Sequence, residues 1–163
     1  NLYKILRDYG ELNNAKEISQ KIISSRNKNI IQTTFDLNDI IKPLVPKKYF
    51  NKNLSKIYQA IRIEVNSEIS VLKSLLEQSK ELLVSGGRLS VISYHSLEDR
   101  LVKRYIKNGS FLAEVEKDFF GNFKVPFKKI GGLITPSDEE IKNNVRSRSA
   151  KLRIAQKIWL YEK

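Results

Sequence analysis

The only histidine of the chain, His95, is followed closely by Glu98, Asp99 and Arg100. An imidazole, two carboxylates and a guanidinium this close together are groups that move protons, hold charge or contact phosphate. Their setting matters as much as their types. Arg88–Tyr94 is a short apolar run with β-branched residues, and Ser96–Ile106 repeats with a helical period, so His95 falls at a joint between strand and helix. In α/β proteins ligands sit in the crevice beyond the carboxyl ends of the strands, which makes Tyr94, His95 and Ser96 candidates for a site. Two readings of His95 stay open. Its adjustable tautomer suits contact with a substrate, and it equally suits a structural bond to Asp99 that shapes the turn. Ser96 with Asp99 reads as the cap of the helix.

Basic side chains form three further groups. Arg100, Lys103, Arg104 and Lys107 follow the joint along one helix and suit phosphate contacts, or else make an exposed helix face. Arg62 stands four residues before Asn66 on an upstream helix, where it either reaches the sheet edge or pairs within the helix. Arg146 and Arg148 lead into the last strand. Phe119, Phe120 and Tyr94 are candidates for base stacking, with core packing as the alternative.

The composition narrows the chemistry. The chain has 163 residues, no cysteine, 40% hydrophobic residues and a net charge of +12. That size and apolar content support a packed core. The absence of cysteine removes disulfides, thiolate metal sites and a cysteine nucleophile, and no metal site is expected. No apolar run approaches the roughly 18 residues of a membrane span, so the expectation is a cytoplasmic protein with no membrane partner. The positive charge is spread along the chain and suits a polyanion such as RNA.

The elements predicted around these residues are an all-helical part and an α/β part. Asn14 with Glu17 opens a helix bearing Ala15, Ile18 and Ile22, and Thr34 opens another that Pro43 and Pro46 close. Lysines 47, 48, 52 and 56 mark a boundary loop. From Leu54 a three-to-four spacing runs through Tyr58, Ile61, Val65, Ile69, Leu72, Leu76 and Leu83 and predicts one long helix ended by Gly86-Gly87. After the strand and helix around His95, residues 109–135 predict a loop with a short hairpin. Gly131-Gly132 lies in that loop, and a strand begins at Leu133–Thr135. Pro136, Ser137 and Glu140 predict a capped turn. Alternation from Leu152 to Leu160 predicts a final strand.

Three ordered segments carry a resemblance: Tyr58-Gln-Ala-Ile-Arg62-Ile-Glu-Val-Asn66-Ser-Glu68, the core GGRLSVISYHSLEDRLVKR from Gly86 to Arg104, and Arg146-Ser-Arg148-Ser-Ala-Lys-Leu-Arg153-Ile-Ala. Together they resemble the ribosomal RNA small subunit methyltransferase H family, also called MraW, over its later part. The resemblance implies an α/β fold: a partial class I, Rossmann-like methyltransferase sheet (residues 54–163) preceded by a small all-helical, substrate-side insertion (residues 1–53). It implies methylation of the exocyclic N4 of a cytidine in 16S rRNA or the small ribosomal subunit, with S-adenosylmethionine as cofactor. It places His95 in the substrate pocket as the catalytic candidate, and Arg62, Asn66, Tyr94, Ser96, Arg100, Lys103, Arg104, Arg146 and Arg148 against RNA. The cofactor-binding residues are expected upstream of Asn1, and the lack of methionine fits a piece of a longer product. A truncated sheet predicts self-association. The alternative is a non-catalytic basic module that binds RNA or protein.

Overall fold

A computed structural model describes residues 1–111 and 125–158. The chain divides into two compact units, Asn1–Glu68 and Ile69–Lys163.

The first unit is helical. Helices α1 (Leu2–Asp8), α2 (Ala15–Arg26), α3 (Thr34–Ile41) and α4 (Phe50–Val65) surround Leu6, Ile18, Ile41, Ile57 and Ala60, all inaccessible to solvent or nearly so. Asn14 does precede α2, but its side chain makes no cap bond. Its amide donates to the carbonyl of Leu44 instead, tying the start of α2 to the turn behind α3. The cap of α3 is Thr33, whose hydroxyl accepts from the Asp36 N–H while the Asp36 carboxylate accepts from the Thr33 N–H.

The long helix expected from Leu54 to Leu83 is two helices. α4 stops at Val65 and α5 runs Glu68–Leu82, with Ser67 between them at φ 53°. A left-handed residue cannot continue an α-helix. The Glu68 carboxylate fixes the break by accepting from Arg62 Nε at 2.7 Å, Arg62 Nη2 at 3.1 Å and Asn66 Nδ2 at 3.1 Å. The division between compact units therefore falls after Glu68 and not near residue 53, since Ile57 and Ala60 of α4 belong to the helical core.

Among the described residues, the second unit is a three-stranded sheet with helices packed on one face. Its strands are β1 (Arg88–Ser93), β2 (Phe127–Ile134) and β3 (Lys151–Lys157), in the order β1-β3-β2 with β3 antiparallel to both neighbours. Helix α6 (Ser96–Asn108) follows β1, and α7 (Asp138–Asn143) and a 3-10 turn (Val145–Ser149) join β2 to β3. Leu76 of α5, Val102, Tyr105 and Ile106 of α6, and Leu89, Phe127 and Ala155 of the sheet form the core. The Tyr105 ring stacks on Phe111 at 4.9 Å and meets Phe127 at 6.0 Å.

Local chemistry explains the remaining turns. Gly86, at φ 81°, donates its N–H to Lys157, which in turn donates to Gly87, so the glycine pair locks the start of β1 to the end of β3. Gly131-Gly132 lies in a strand and not in a loop. It forms a bulge in β2, whose pairing with β3 is regular to Ile130↔Ile154 and resumes at Ile134↔Leu152. Ser137 caps α7 by accepting from the Glu140 N–H, as expected. Phe119, Phe120, Phe123 and Leu160 lie outside the described residues.

The alternation in β3 buries the opposite face from the one its apolar residues suggest. Cross-strand partners share a face, so Leu89, Val91 and Ser93 stand with Ala155, Arg153 and Lys151 towards the core. Ser90 and Ile92 stand with Ile154 and Leu152 on the other side, joined by Ile130. Ile92 there is 57% exposed.

Candidate functional site

The turn between β1 and α6 is built by one carboxylate. Glu98 Oε2 accepts from the Tyr94 N–H at 2.9 Å and the His95 N–H at 3.4 Å, and the Glu98 N–H donates to His95 Nδ1 at 3.4 Å. The helix cap is thus the pair His95 and Glu98, which replaces the expected Ser96 and Asp99. Ser, Thr, Asp and Asn are the usual caps, so the serine next door drew the sequence assignment one place too far.

This arrangement fixes the tautomer of His95. Because Nδ1 accepts, the neutral ring carries its proton on Nε2, which is buried, 3.3 Å from Glu98 Oε1 and outside hydrogen-bond geometry. The imidazole side chain is 10% exposed. In this state neither ring nitrogen has a lone pair available to a substrate, and the ring acts by holding the turn.

Glu98 is driven down to about 2 by the adjacent His95 side chain and the backbone N–H groups of Tyr94 and His95, against the opposing effect of burial. A carboxylate whose folded pKa is depressed stabilises the fold above its ordinary value and loses that contribution as pH falls. The window here runs from about 4.5 down to about 2. Water reaches 26% of the side chain and screens it, so the contribution is on the order of 1 kcal/mol. Glu98→Gln is expected to lower the melting temperature at pH 7 by a few degrees and to flatten its acid dependence in this window. Parallel melting curves from pH 2 to 7 check this.

The Asp99 N–H donates to the His95 carbonyl at 3.2 Å, but its carboxylate is engaged away from the ring. Asp99 is 8% exposed and takes Arg153 Nε at 2.7 Å and Nη2 at 3.1 Å, with Lys151 Nζ at 3.7 Å. Hydrogen bonding to the Arg153 guanidinium holds its carboxyl below the usual range. Arg153 is the structural residue that sequence reasoning missed. The strand pattern did not mark it, because Lys151 and Lys157 stand on the same face and make that face read as solvated.

The candidate residues fall in different places. Tyr94, 58% exposed, and Ser96 flank His95, with Arg100 and Arg104 exposed along α6. Lys151 is paired with Ser93, so Arg146 and Arg148, exposed in the turn just before β3, lie at the same end of the sheet as the carboxyl end of β1. Lys103 and Lys107 point to the side of α6 that faces β2 and β3. Arg62 and Asn66 belong to the first unit, where they clip the α4–α5 break.

The strand-to-helix turn has no glycine, and the N–H groups of Tyr94 and His95 are already taken by Glu98. The Gly131-Gly132 pair sits inside an antiparallel ladder and not ahead of a helix.

Comparison with known proteins identifies the family. The model of the MraW methylase family matches residues 1–158. The chain belongs to that family. It is 60% identical to the ribosomal RNA small subunit methyltransferase H of Flavobacterium johnsoniae, over 96% of this chain and 52% of the relative. It is 48% identical to the protein of the same name from Cytophaga hutchinsonii, over 96% and 52%, and 48% identical to that of Bacteroides thetaiotaomicron, over 91% and 49%. The chain spans about half the length of the curated relatives it matches. Among the described residues, no helix of this MraW family member is long and apolar enough to cross a membrane.

Proposed function

We propose that this chain is the later part of an S-adenosylmethionine-dependent enzyme that methylates the exocyclic N4 of a cytidine in small-subunit rRNA. The observation that carries the reading is the family match over residues 1–158, joined to relatives about twice as long that are named as rRNA methyltransferases. Two structural features support a division of labour along the sheet. In the described sheet β1 is paired on one side only, and the face bearing Ile92, Leu152, Ile154 and Ile130 has no fully buried residue. An apolar sheet face and an open edge of this kind call for cover, which further strands and helices of a doubly wound fold supply.

The chemistry asks this chain for positioning. The lone pair of a cytosine amine is delocalised into the ring, so the nitrogen must be held by acceptors and aligned with the methyl donor. Glu98 and Asp99 are committed to the turn and to Arg153, and the exposed Tyr94, with Ser96 two places on, is the group of this turn placed to meet the nucleotide. His95 is a positioning residue that holds both in place. Arg100, Lys103, Arg104, Arg146 and Arg148 take phosphates of the RNA around the target. Arg62 and Asn66 serve the substrate side by setting the α4–α5 break. No thiolate is required, in keeping with the absence of cysteine.

Loss of the encoding gene is expected to remove N4-methylcytidine from small-subunit rRNA, as read by mass spectrometry of nuclease digests, and the gene supplied in trans restores it. Unchanged modification would refute the reading and favour a non-catalytic RNA-binding role. With the same readout, His95→Asn, which keeps an oxygen acceptor at the cap, retains most methylation. A loss of more than about a hundredfold in a normally folded His95→Asn protein would make the imidazole itself a substrate contact.

A further inference from the structure

The helical unit has a polar cavity of about 260 Å³ where two of its turns meet the start of α4. The α1–α2 turn lines it with Glu11, Asn13 and Asn14, the segment after α3 with Pro46 and Tyr49, and α4 with Asn53 and Lys56. Its accessible wall is polar and aromatic. Tyr49 is 48% exposed, Asn13 is exposed and Asn53 and Lys56 are half-buried, whereas the apolar lining residues Leu12 and Val45 are buried and offer no contact surface.

Three hydrogen bonds tie these walls together and leave capacity over. Lys56 Nζ donates to the Glu11 carbonyl at 3.3 Å, Asn14 Nδ2 to the Leu44 carbonyl at 3.3 Å and Asn53 Nδ2 to the Tyr49 carbonyl at 2.9 Å. Each bond uses one donor hydrogen, so the oxygens of both amides and two hydrogens of the ammonium group remain for a ligand. The surroundings are basic. Lys52 is exposed one turn before Lys56 on α4, and the ammonium group of Lys48 lies 5.6 Å from the centre of the Tyr49 ring. Glu11 is the one acidic residue of the described lining.

This combination narrows the ligand. A bare inorganic anion makes no use of the amide oxygens or of Tyr49, and a neutral apolar molecule makes no use of the amides or the lysines. A nucleotide uses all of them: the base edge carries donors and acceptors for the asparagines, the base face stacks on an aromatic ring, and phosphates take the lysines. The volume falls a little below the range of sites for whole small molecules, which suits one unit of a polymer.

We infer that this cavity holds one unpaired nucleotide of the RNA strand outside the methylated position, its base against Tyr49 with its edge on Asn13 and Asn53, and its flanking phosphates on Lys48 and Lys52. The inference rests on the proposed RNA substrate and gives the helical unit a grip of its own on that strand.

The test is fluorescence anisotropy of the 163-residue chain with a labelled single-stranded oligoribonucleotide and with an abasic oligomer of the same length. The base-bearing strand is expected to bind at least about tenfold more tightly. Tyr49→Leu, at an exposed position, removes most of that preference with abasic binding and melting temperature unchanged, and Tyr49→Trp, which keeps a ring, retains it. Asn13→Ala lowers the preference without touching the bonds that hold the walls. Lys48→Gln with Lys52→Gln weakens both strands alike and flattens the salt dependence. Equal binding of the two strands by the parent chain, or an undiminished preference in folded Tyr49→Leu, overturns the inference. Displacement of the labelled strand by polyglutamate as readily as by unlabelled RNA also overturns it, since the cavity would then serve an acidic protein segment. Tyr94→Leu separates the two readings: a preference lost there and kept in Tyr49→Leu rejects the cavity and leaves the proposed reaction standing, which the N4-methylcytidine measurement tests by itself.

Discussion

Replacing Arg153 by methionine is expected to destabilise the protein by about 3–5 kcal/mol, the range for removing one partner of a buried ion pair. The cause is the carboxylate left behind. Asp99 is 8% exposed and takes two guanidinium hydrogen bonds, at 2.7 and 3.1 Å, in the contact between α6 and β3. Lys151, at 3.7 Å and partly reachable by water, offsets only a part. Asp99 would then be expected to take up a proton at higher pH, so the variant loses stability most at neutral pH. Combining Arg153→Met with Asp99→Leu removes both charges and restores most of the loss, because the desolvation of the pair disappears along with its attraction. Denaturant unfolding of the two variants and the parent chain checks both statements. A single variant within about 1 kcal/mol of the parent would mean that the pair is effectively solvated.

The second large effect is expected at Gly109. This residue ends α6 at φ 70°, its N–H donating to the Tyr105 carbonyl, and an added Cβ would overlap the ring of Pro126. Two costs combine in Gly109→Ala. Left-handed backbone costs an alanine about 1 kcal/mol, and the rigid proline ring cannot rotate away, so one of the two segments must shift. The total is expected to be about 2–4 kcal/mol, since the shift disturbs Tyr105 and Phe127 in the core. Gly132→Ala serves as the control, because no atom lies within 4 Å of its added Cβ. Melting curves of the two variants should separate clearly.

Much of the scaffold was legible because its signals are local. The apolar spacing in α2, the β-branched run before His95 and the Ser137 cap each depend on a few neighbouring residues, and each element appears where its pattern lies. The break at Ser67 was not legible. The apolar spacing runs unbroken across it, and what ends α4 is a left-handed residue that Arg62 and Asn66 stabilise through Glu68. Its only trace in the sequence is an asparagine followed by a serine, which many helices tolerate on an exposed face.

The candidate turn was found in the right place and assigned the wrong bonds. Ser96 and Asp99 fit the usual capping pattern, yet His95 and Glu98 make the cap, and Asp99 is drawn to Arg153 across 54 residues of chain. Long-range pairing of that kind leaves no periodic trace. The face of β3 was misleading for a related reason: its apolar residues line the side on which none of the described residues is fully buried, while the core side takes Arg153 and Ala155. A strand pattern reports which residues are apolar, and which face is buried depends on where the helices pack.

The central claim is that the end of the sheet holding Tyr94, His95 and Ser96 is where the RNA nucleotide is held. Ultraviolet crosslinking of the protein to small-subunit rRNA, followed by mass mapping of the attached peptides, tests it most directly. The account predicts crosslinks concentrated on the peptides that carry Tyr94 to Arg104 and Arg146 to Arg148. Crosslinks confined to other peptides, with those two unmodified, would contradict it.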